Sequence, residues 1–181
     1  MLAGLSNQSK AQLGLENTDN WSITNGSCNS NDATDFLSTV KALEQLNLSD
    51  VVNDLWRLLG AIFHLGNLTF IPSGKDWTVE QEIHHHLEWA GRLLGLGATE
   101  LLEAITVKNF QAGSNSPVLL KPCSSQAECS ARRDTFIRLL YRLLFSLVLD
   151  RINEKLRYNE SPAKCKYLCK HKFLFINSFL I

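Results

Sequence analysis

Ala61-Ile62-Phe63-His64-Leu65-Gly66-Asn67-Leu68 closes a long apolar-periodic segment, and its reading decides the fold. Upstream, Ser49 is a good N-cap, and Asp50 is well placed against the positive end of the helix dipole. Leu55, Leu58, Leu59, Ile62 and Phe63 cover more than one helix face, so this helix is expected to be buried on several sides. Gly66-Asn67 predicts a left-handed stop, with a short strand over Leu68 to Ile71 after it. Further upstream, Phe36, Val40, Leu43 and Leu46 recur at three- and four-residue steps and predict a helix beginning at Asp35. Before that, residues 16 to 34 are rich in Asn, Ser, Thr and Gly and read as a surface loop, pinned to the body by Trp21 and Ile23.

Downstream, Pro72 to Asp76 reads as a turn, and Thr78 with Gln81 as a capping box. The helix it opens carries Ile83, Leu87, Ala90, Leu93 and Leu94 inward and stops at Gly95 to Gly97. Thr99 is expected to cap a fourth helix ending near Ile105. Thr106-Val107 and Val118-Leu119-Leu120 are β-type runs around Gly113-Ser114-Asn115-Ser116-Pro117, which predicts a hairpin over 106 to 122. From Ser125 to Arg157 there is no Pro or Gly, and helical periodicity predicts one long helix. The expected class is mainly α with one small β-hairpin.

Phe63-His64-Leu65-Gly66-Asn67-Leu68 followed by Thr69-Phe70 resembles a signature of myosin heads. Two flanking segments fall in the myosin order. Leu2-Ala3-Gly4-Leu5-Ser6 is similar to the run after switch I, and Arg133-Asp134 begins a helix that closes, as in the family, in Asp150-Arg151-Ile152-Asn153. The resemblance implies a helical piece of a P-loop motor head, in the upper part of its actin-binding half. The expected division is 1–157 as a partial motor domain between switch I and switch II, and 158–181 as a divergent tail. The Lys121-Pro122-Cys123, Ala127-Glu128-Cys129 and Arg132-Arg133-Asp134 runs resemble the mitochondria-associated class nineteen.

In the parent family, ATP and magnesium are held by a Gly-x-x-x-x-Gly-Lys-Ser/Thr loop and the two switches. These 181 residues contain no such loop, no Asn-x-Asn-Ser-Ser-Arg-Phe-Gly and no Asp-x-x-Gly-Phe-Glu. The expectation is therefore no catalytic residue, no cofactor and no metal in this chain, and no ATP turnover by it. The resemblance also implies filamentous actin and the remainder of a myosin head as partners. By position the 106–122 hairpin resembles the family's actin-touching cardiomyopathy loop. Lys108, Asn109, Gly113, Ser114, Ser116 and Lys121 are the candidate contacts. At the loop position that in many myosins is acidic or phosphorylatable, this sequence places Val118 or Pro117, with Ser114 and Ser116 nearby.

Composition narrows the alternatives. Apolar residues make up 45% and charged residues 20%, with a formal charge of zero, which points to neither nucleic acid nor an acidic membrane surface. No apolar run approaches the ~20 residues a membrane helix needs, and residues 1 to 10 do not read as a secretory signal. Five scattered cysteines then read as reduced thiols, and the expected location is cytoplasmic, associated with the cytoskeleton. Six Asn-x-Ser/Thr sequons, at Asn7, Asn20, Asn25, Asn47, Asn67 and Asn159, read as chance in an Asn/Ser-rich chain. His84-His85-His86 cannot converge on one ion, because neighbours on a helix diverge by ~100°, and they read as a partly exposed surface. Cys165, Cys169 and His171 lack a second ligand pair. The apolar end, Phe173 to Ile181, is an aggregation liability. The alternative to a myosin piece is a free-standing α-helical interaction module.

Overall fold

The computed structural model describes residues 1–16, 21–24, 31–111 and 119–157. Six helices and two small strand pairs follow in order: α1 (Asn7–Leu13), α2 (Asp32–Gln45), α3 (Ser49–Gly66), β1 (Phe70–Ser73), β2 (Asp76–Val79), α4 (His84–Leu94), α5 (Ala98–Thr106), β3 (Val107–Phe110), β4 (Leu119–Pro122) and α6 (Gln126–Arg157). Short 3-10 turns cover Ser22–Thr24 and Gln81–Ile83. The fold is mainly α, as the periodicity predicts.

Helix α3 is the centre, and the breadth of its apolar surface explains why. Its end packs Ile62 and Leu65 into the largest core, with Leu68, Phe70, Val79, Leu87, Ala90, Leu101, Ile105, Cys123, Cys129 and Leu140. Ala61 faces a second core, with Leu2, Leu13, Leu15, Trp21 and Leu93. Val51 and Leu55 form a third, with Leu43 and Leu48, against Leu144, Val148 and Ile152 of α6. One helix thus shares its faces among three neighbours.

Four local expectations need correcting. Trp77-Thr78-Val79 is a strand rather than a helix start: β2 pairs antiparallel with β1, with Ile71 opposite Thr78 and Pro72 opposite Trp77. Proline is tolerated there because the sheet has two strands and each is an edge. Ser49 is already helical, Leu48 stands at the cap position, and no side chain caps this end. The cap of α5 is Gly97 rather than Thr99; its amide donates to Glu100 Oε2 at 3.1 Å. The stop after α3 is not left-handed, since Asn67 has φ −87°. Gly66 is needed for space: a Cβ there would lie 2.5 Å from Ile23, which crosses over it. The left-handed helix stops are Gly14 (φ 68°) and Gly95 (φ 73°). Asn47 (φ 54°) makes the sharp α2–α3 corner.

Candidate functional site

The expected hairpin forms, with Val107 opposite Pro122, Lys108 opposite Lys121, Asn109 opposite Leu120 and Phe110 opposite Leu119. Cross-strand partners share a sheet face, so two lysines meet directly, an unfavourable pairing in itself. The structure separates their fates. Lys108 turns to the root and forms an ion pair with Glu128 of α6, both side chains less than a third exposed. Lys121 stays exposed, its ammonium 5.9 Å from the Phe110 ring centroid. Asn109, opposite Leu120, is exposed on the other face. Gly113, Ser114 and Ser116, and the positions Pro117 and Val118, lie outside the described residues.

The root is built from the first turns of α6. Glu128 Oε2 accepts from the Ser124 amide at 2.6 Å, and the Glu128 amide donates to Ser125 Oγ at 3.2 Å. This is a variant of the reciprocal capping box, and the Ser-x-x-Glu spacing of Ser125 and Glu128 could have announced it. Hydrogen bonding from Lys108, reinforced by the Ser124 amide, holds the Glu128 carboxyl down to about 2. One turn on, the Arg132 guanidinium donates to the carbonyls of Ala104 (2.9 Å), Ile105 (2.8 Å) and Val107 (2.9 Å). It thereby serves the carbonyl end of α5, which has no helical partners of its own. Trp77 Nε1 donates to the Cys123 carbonyl at 2.7 Å, and the Cys123 amide to the Thr106 carbonyl at 2.8 Å. A cavity of about 270 Å³, lined by Ala104, Ile105, Glu128, Arg132 and Phe136 among others, lies behind this root.

Beyond the clamp, the hairpin presents Phe110 (48% exposed), Leu119 (57%) and Leu120 (70%). A clamped base thus carries Phe110, Leu119 and the Lys121 ammonium on one sheet face and Leu120 on the other. Sequence reading found the hairpin and Lys121 but missed Glu128 and Arg132. Nothing in one sequence says that an arginine on α6 reaches three carbonyls more than twenty residues back.

The histidine run is exposed as expected at His84 and His85 and departs from expectation at His86. His84 faces outward beside Glu88 (3.4 Å), and His85 Nδ1 lies 3.1 Å from the Glu82 carbonyl. His86 turns inward, its Nδ1 2.9 Å from Nδ1 of the fully buried His64. No group of three metal-ligating side chains converges among the described residues. Cys165, Cys169 and His171 lie outside them.

The model of the myosin head (motor domain) family matches residues 1–168. The chain belongs to the myosin head family. It is similar to myosin-K heavy chain of Dictyostelium discoideum, 26% identical over 174 residues, 93% of this chain and 20% of that one. Human unconventional myosin-XIX is 33% identical over 107 residues, 58% of this chain and 11% of that protein. Rat unconventional myosin-Ic is 29% identical over 172 residues, 90% and 16% respectively. The chain therefore spans about a fifth or less of these relatives. Two of the stretches that carry the myosin resemblance meet in space: Arg133 donates to the Leu68 carbonyl, just past the α3 stop, while Asp134 Oδ1 accepts from its Nε (2.9 Å) and NH2 (2.7 Å).

The family's nucleotide chemistry needs a backbone cradle for phosphate. Gly97, the glycine that caps α5, has its amide occupied by the Glu100 carboxylate, which would repel a phosphate. Gly4, ahead of α1, is covered by Phe36, which a Cβ would meet at 2.2 Å. These sites do not fit ATP with magnesium.

Proposed function

We propose that this chain is the filament-contacting part of a myosin head's actin-binding half, touching actin through the β3–β4 hairpin and contributing no ATP turnover of its own. The observation that carries the reading is the clamped root. Arg132 and Glu128 fix the hairpin's base, while Phe110, Leu119, Leu120 and Lys121 are left outward. Such a surface suits a partner that offers apolar contact and a carboxylate. Asn109, Gly113, Ser114, Ser116 and Lys121 are the proposed contacts, and Lys108 is the anchor that holds their base. In the full-length motor, the remainder of the head would supply ATP, magnesium and the rest of the filament interface. The location would be cytoplasmic and cytoskeletal, with 158–181 a divergent tail whose first part still falls within the family match. No helix among the described residues is long and apolar enough to cross a membrane.

One hairpin buries far less than the ~1,200 Å² of a stable specific interface, so binding is weak and falls with salt. Cosedimentation of the full chain with filamentous actin tests this. Lys121→Ala and Leu120→Ala should each reduce pelleting, and raised ionic strength should reduce it further, while His84→Ala leaves it unchanged. Pelleting of Lys121→Ala equal to the parent's would overturn the assignment. Actin-stimulated phosphate release above blank by the purified chain would overturn the absence of turnover.

A second reading, a helical interaction module, is favoured by Tyr141 and Phe145 (each 56% exposed) and Leu149 (42%), one turn apart on α6. Concentration-dependent self-association lost in Phe145→Ser, with no actin pelleting by the parent, would favour that reading.

A further inference from the structure

The histidine pair, fully buried at His64 and partly buried at His86, belongs to a longer chain of hydrogen bonds that crosses four segments. The Ser22 amide lies 2.9 Å from Asn67 Oδ1, Asn67 Nδ2 lies 3.2 Å from His86 Nε2, His86 Nδ1 lies 2.9 Å from His64 Nδ1, and His64 Nε2 lies 2.9 Å from the Leu13 carbonyl. The two ends fix every proton between them. The Ser22 amide can only donate, so Asn67 presents its oxygen to Ser22 and its NH2 to His86; His86 Nε2 must then accept and its Nδ1 must carry the hydrogen. From the other end, the Leu13 carbonyl can only accept, so His64 Nε2 carries the hydrogen and its Nδ1 accepts. The two assignments meet without conflict at the Nδ1–Nδ1 contact, and they do so only when both imidazoles are neutral. A proton on either ring would set two N–H groups against each other or strip the acceptor from Asn67.

We propose that this one-directional chain is a latch that sews Leu13 and the strap Trp21–Thr24 onto the α3–α4 pair and opens when either imidazole is protonated. Its surroundings fit that role. Trp21 packs edge-on against His64 (5.2 Å) and tilted against His86 (5.5 Å), and Trp89 stacks on His64 at 6.0 Å. Ser22 Oγ also donates to the Gly66 carbonyl at 2.6 Å, so the strap is tied to both residues of the α3 stop. The charged and titratable neighbours supply no compensation for a buried proton. On α4, His85 lies tilted against His86 at 4.1 Å and adds like charge when protonated, Arg92 covers Trp89 at 4.6 Å, and Glu88 is directed to His84. Lys10 lies in the last turn of α1, Glu16 is exposed three residues beyond Leu13, and Trp21, Ser22, Ile23 and Thr24 carry no charge.

Burial is the largest cause that lowers both imidazoles from 6.5 to about 4, opposed at His64 by the Leu13 carbonyl and aided at both rings by His85. The direction follows. An opened latch takes up protons below about 6.5 and the closed one does not until about 4, so closure is favoured above that window and lost progressively as pH falls through it. With two sites, the opening constant rises by up to about a hundredfold per pH unit.

Long-range imidazole nitrogen spectra of the full chain test the proton order at pH 7.5. The expected result is Nε2–H at His64 and the less common Nδ1–H at His86. Hydrogen exchange of the Ser22 amide, corrected for its intrinsic rate, then follows opening from pH 7 to 4. It should steepen below 6.5, with His86→Gln (which can still donate and accept) halving the slope and the His64→Gln/His86→Gln pair removing it. A parent chain with His86 as Nε2–H, or with Ser22 opening indifferent to pH across this window, overturns the latch whether or not the variants fold.

Discussion

Two regions anchored to the same helical body are held by opposite chemistry. Leu13 and the strap Trp21–Thr24 are fastened by an uncharged chain, buried at its Leu13 end and exposed at Ser22, whose protons all run one way. The β3–β4 hairpin is fastened by ions, through Lys108 to Glu128 and Arg132 to three carbonyls. Burial decides the choice: a fully covered imidazole is cheapest neutral, whereas a guanidinium at a helix's carbonyl end is stabilised by the oxygens it satisfies. The lesson is that acid should loosen the two regions in separate windows, the strap first and the hairpin root later.

The largest expected effect ignores the distinction. Phe70 is fully buried in the core shared by α3, α4 and α6, so Phe70→Ala should cost about 3–5 kcal/mol, and hydrogen exchange should quicken in strap and hairpin alike. If exchange quickened in one region alone, the two would not share a core. Arg132→Ala should separate them. It leaves three carbonyls without their donor, for about 1–3 kcal/mol, and amide protection should fall over 107–110 and 119–122 while Ser22 is unmoved. Equal loss at Ser22 would mean that the strap depends on the hairpin root.

Glu128→Gln sharpens the comparison by pH. The carboxyl is held below its ordinary 4.5, so its contribution is present above that value and fades as pH falls toward about 2. Root protection in the parent should decline across that range and be flatter in the variant, measured by exchange at the 119–122 amides. Smallest should be the change on adding iodoacetamide at neutral pH. Burial, with Cys123 alongside, pushes the Cys129 thiol up to about 12, and both thiols are covered. Mass spectrometry should find both unmodified in the folded chain. Rapid labelling at neutral pH would show the root open more often than its clamps allow.

What the sequence made legible was whatever a period or a spacing encodes. The long α6, the many-sided α3, the Gly95 stop and the 106–122 hairpin all follow from patterns within one segment. The strand over Leu68 to Ile71 appears as β1, but its partner β2 was hidden because Thr78 and Gln81 imitate a capping box, while Trp77 and Val79 make too short a run to assert a strand. Gly66 was legible as a stop but not as a slot for Ile23, since its neighbour lies more than forty residues away in sequence. His86 was unreadable for the same reason: its partner sits on a different helix, and helical spacing reports which residues share a face, not what that face meets. At the hairpin, spacing found the exposed lysine and could not tell it from the paired one.

Arg132 and Arg133 stand side by side on α6 and reach in different directions, one to the end of α5 and the start of β3, the other to the carbonyl after α3. Adjacent residues on a helix are turned by ~100°, so the pair works like a key with two cuts. A slip of α6 by one residue along its axis, or a modest rotation about it, would withdraw both guanidinium groups at once. Apolar packing along α6 resists displacement gradually, because one leucine can replace another in a groove. The two arginines together set both the height and the rotation of α6, and they tie the hairpin root and the α3 stop to one helix.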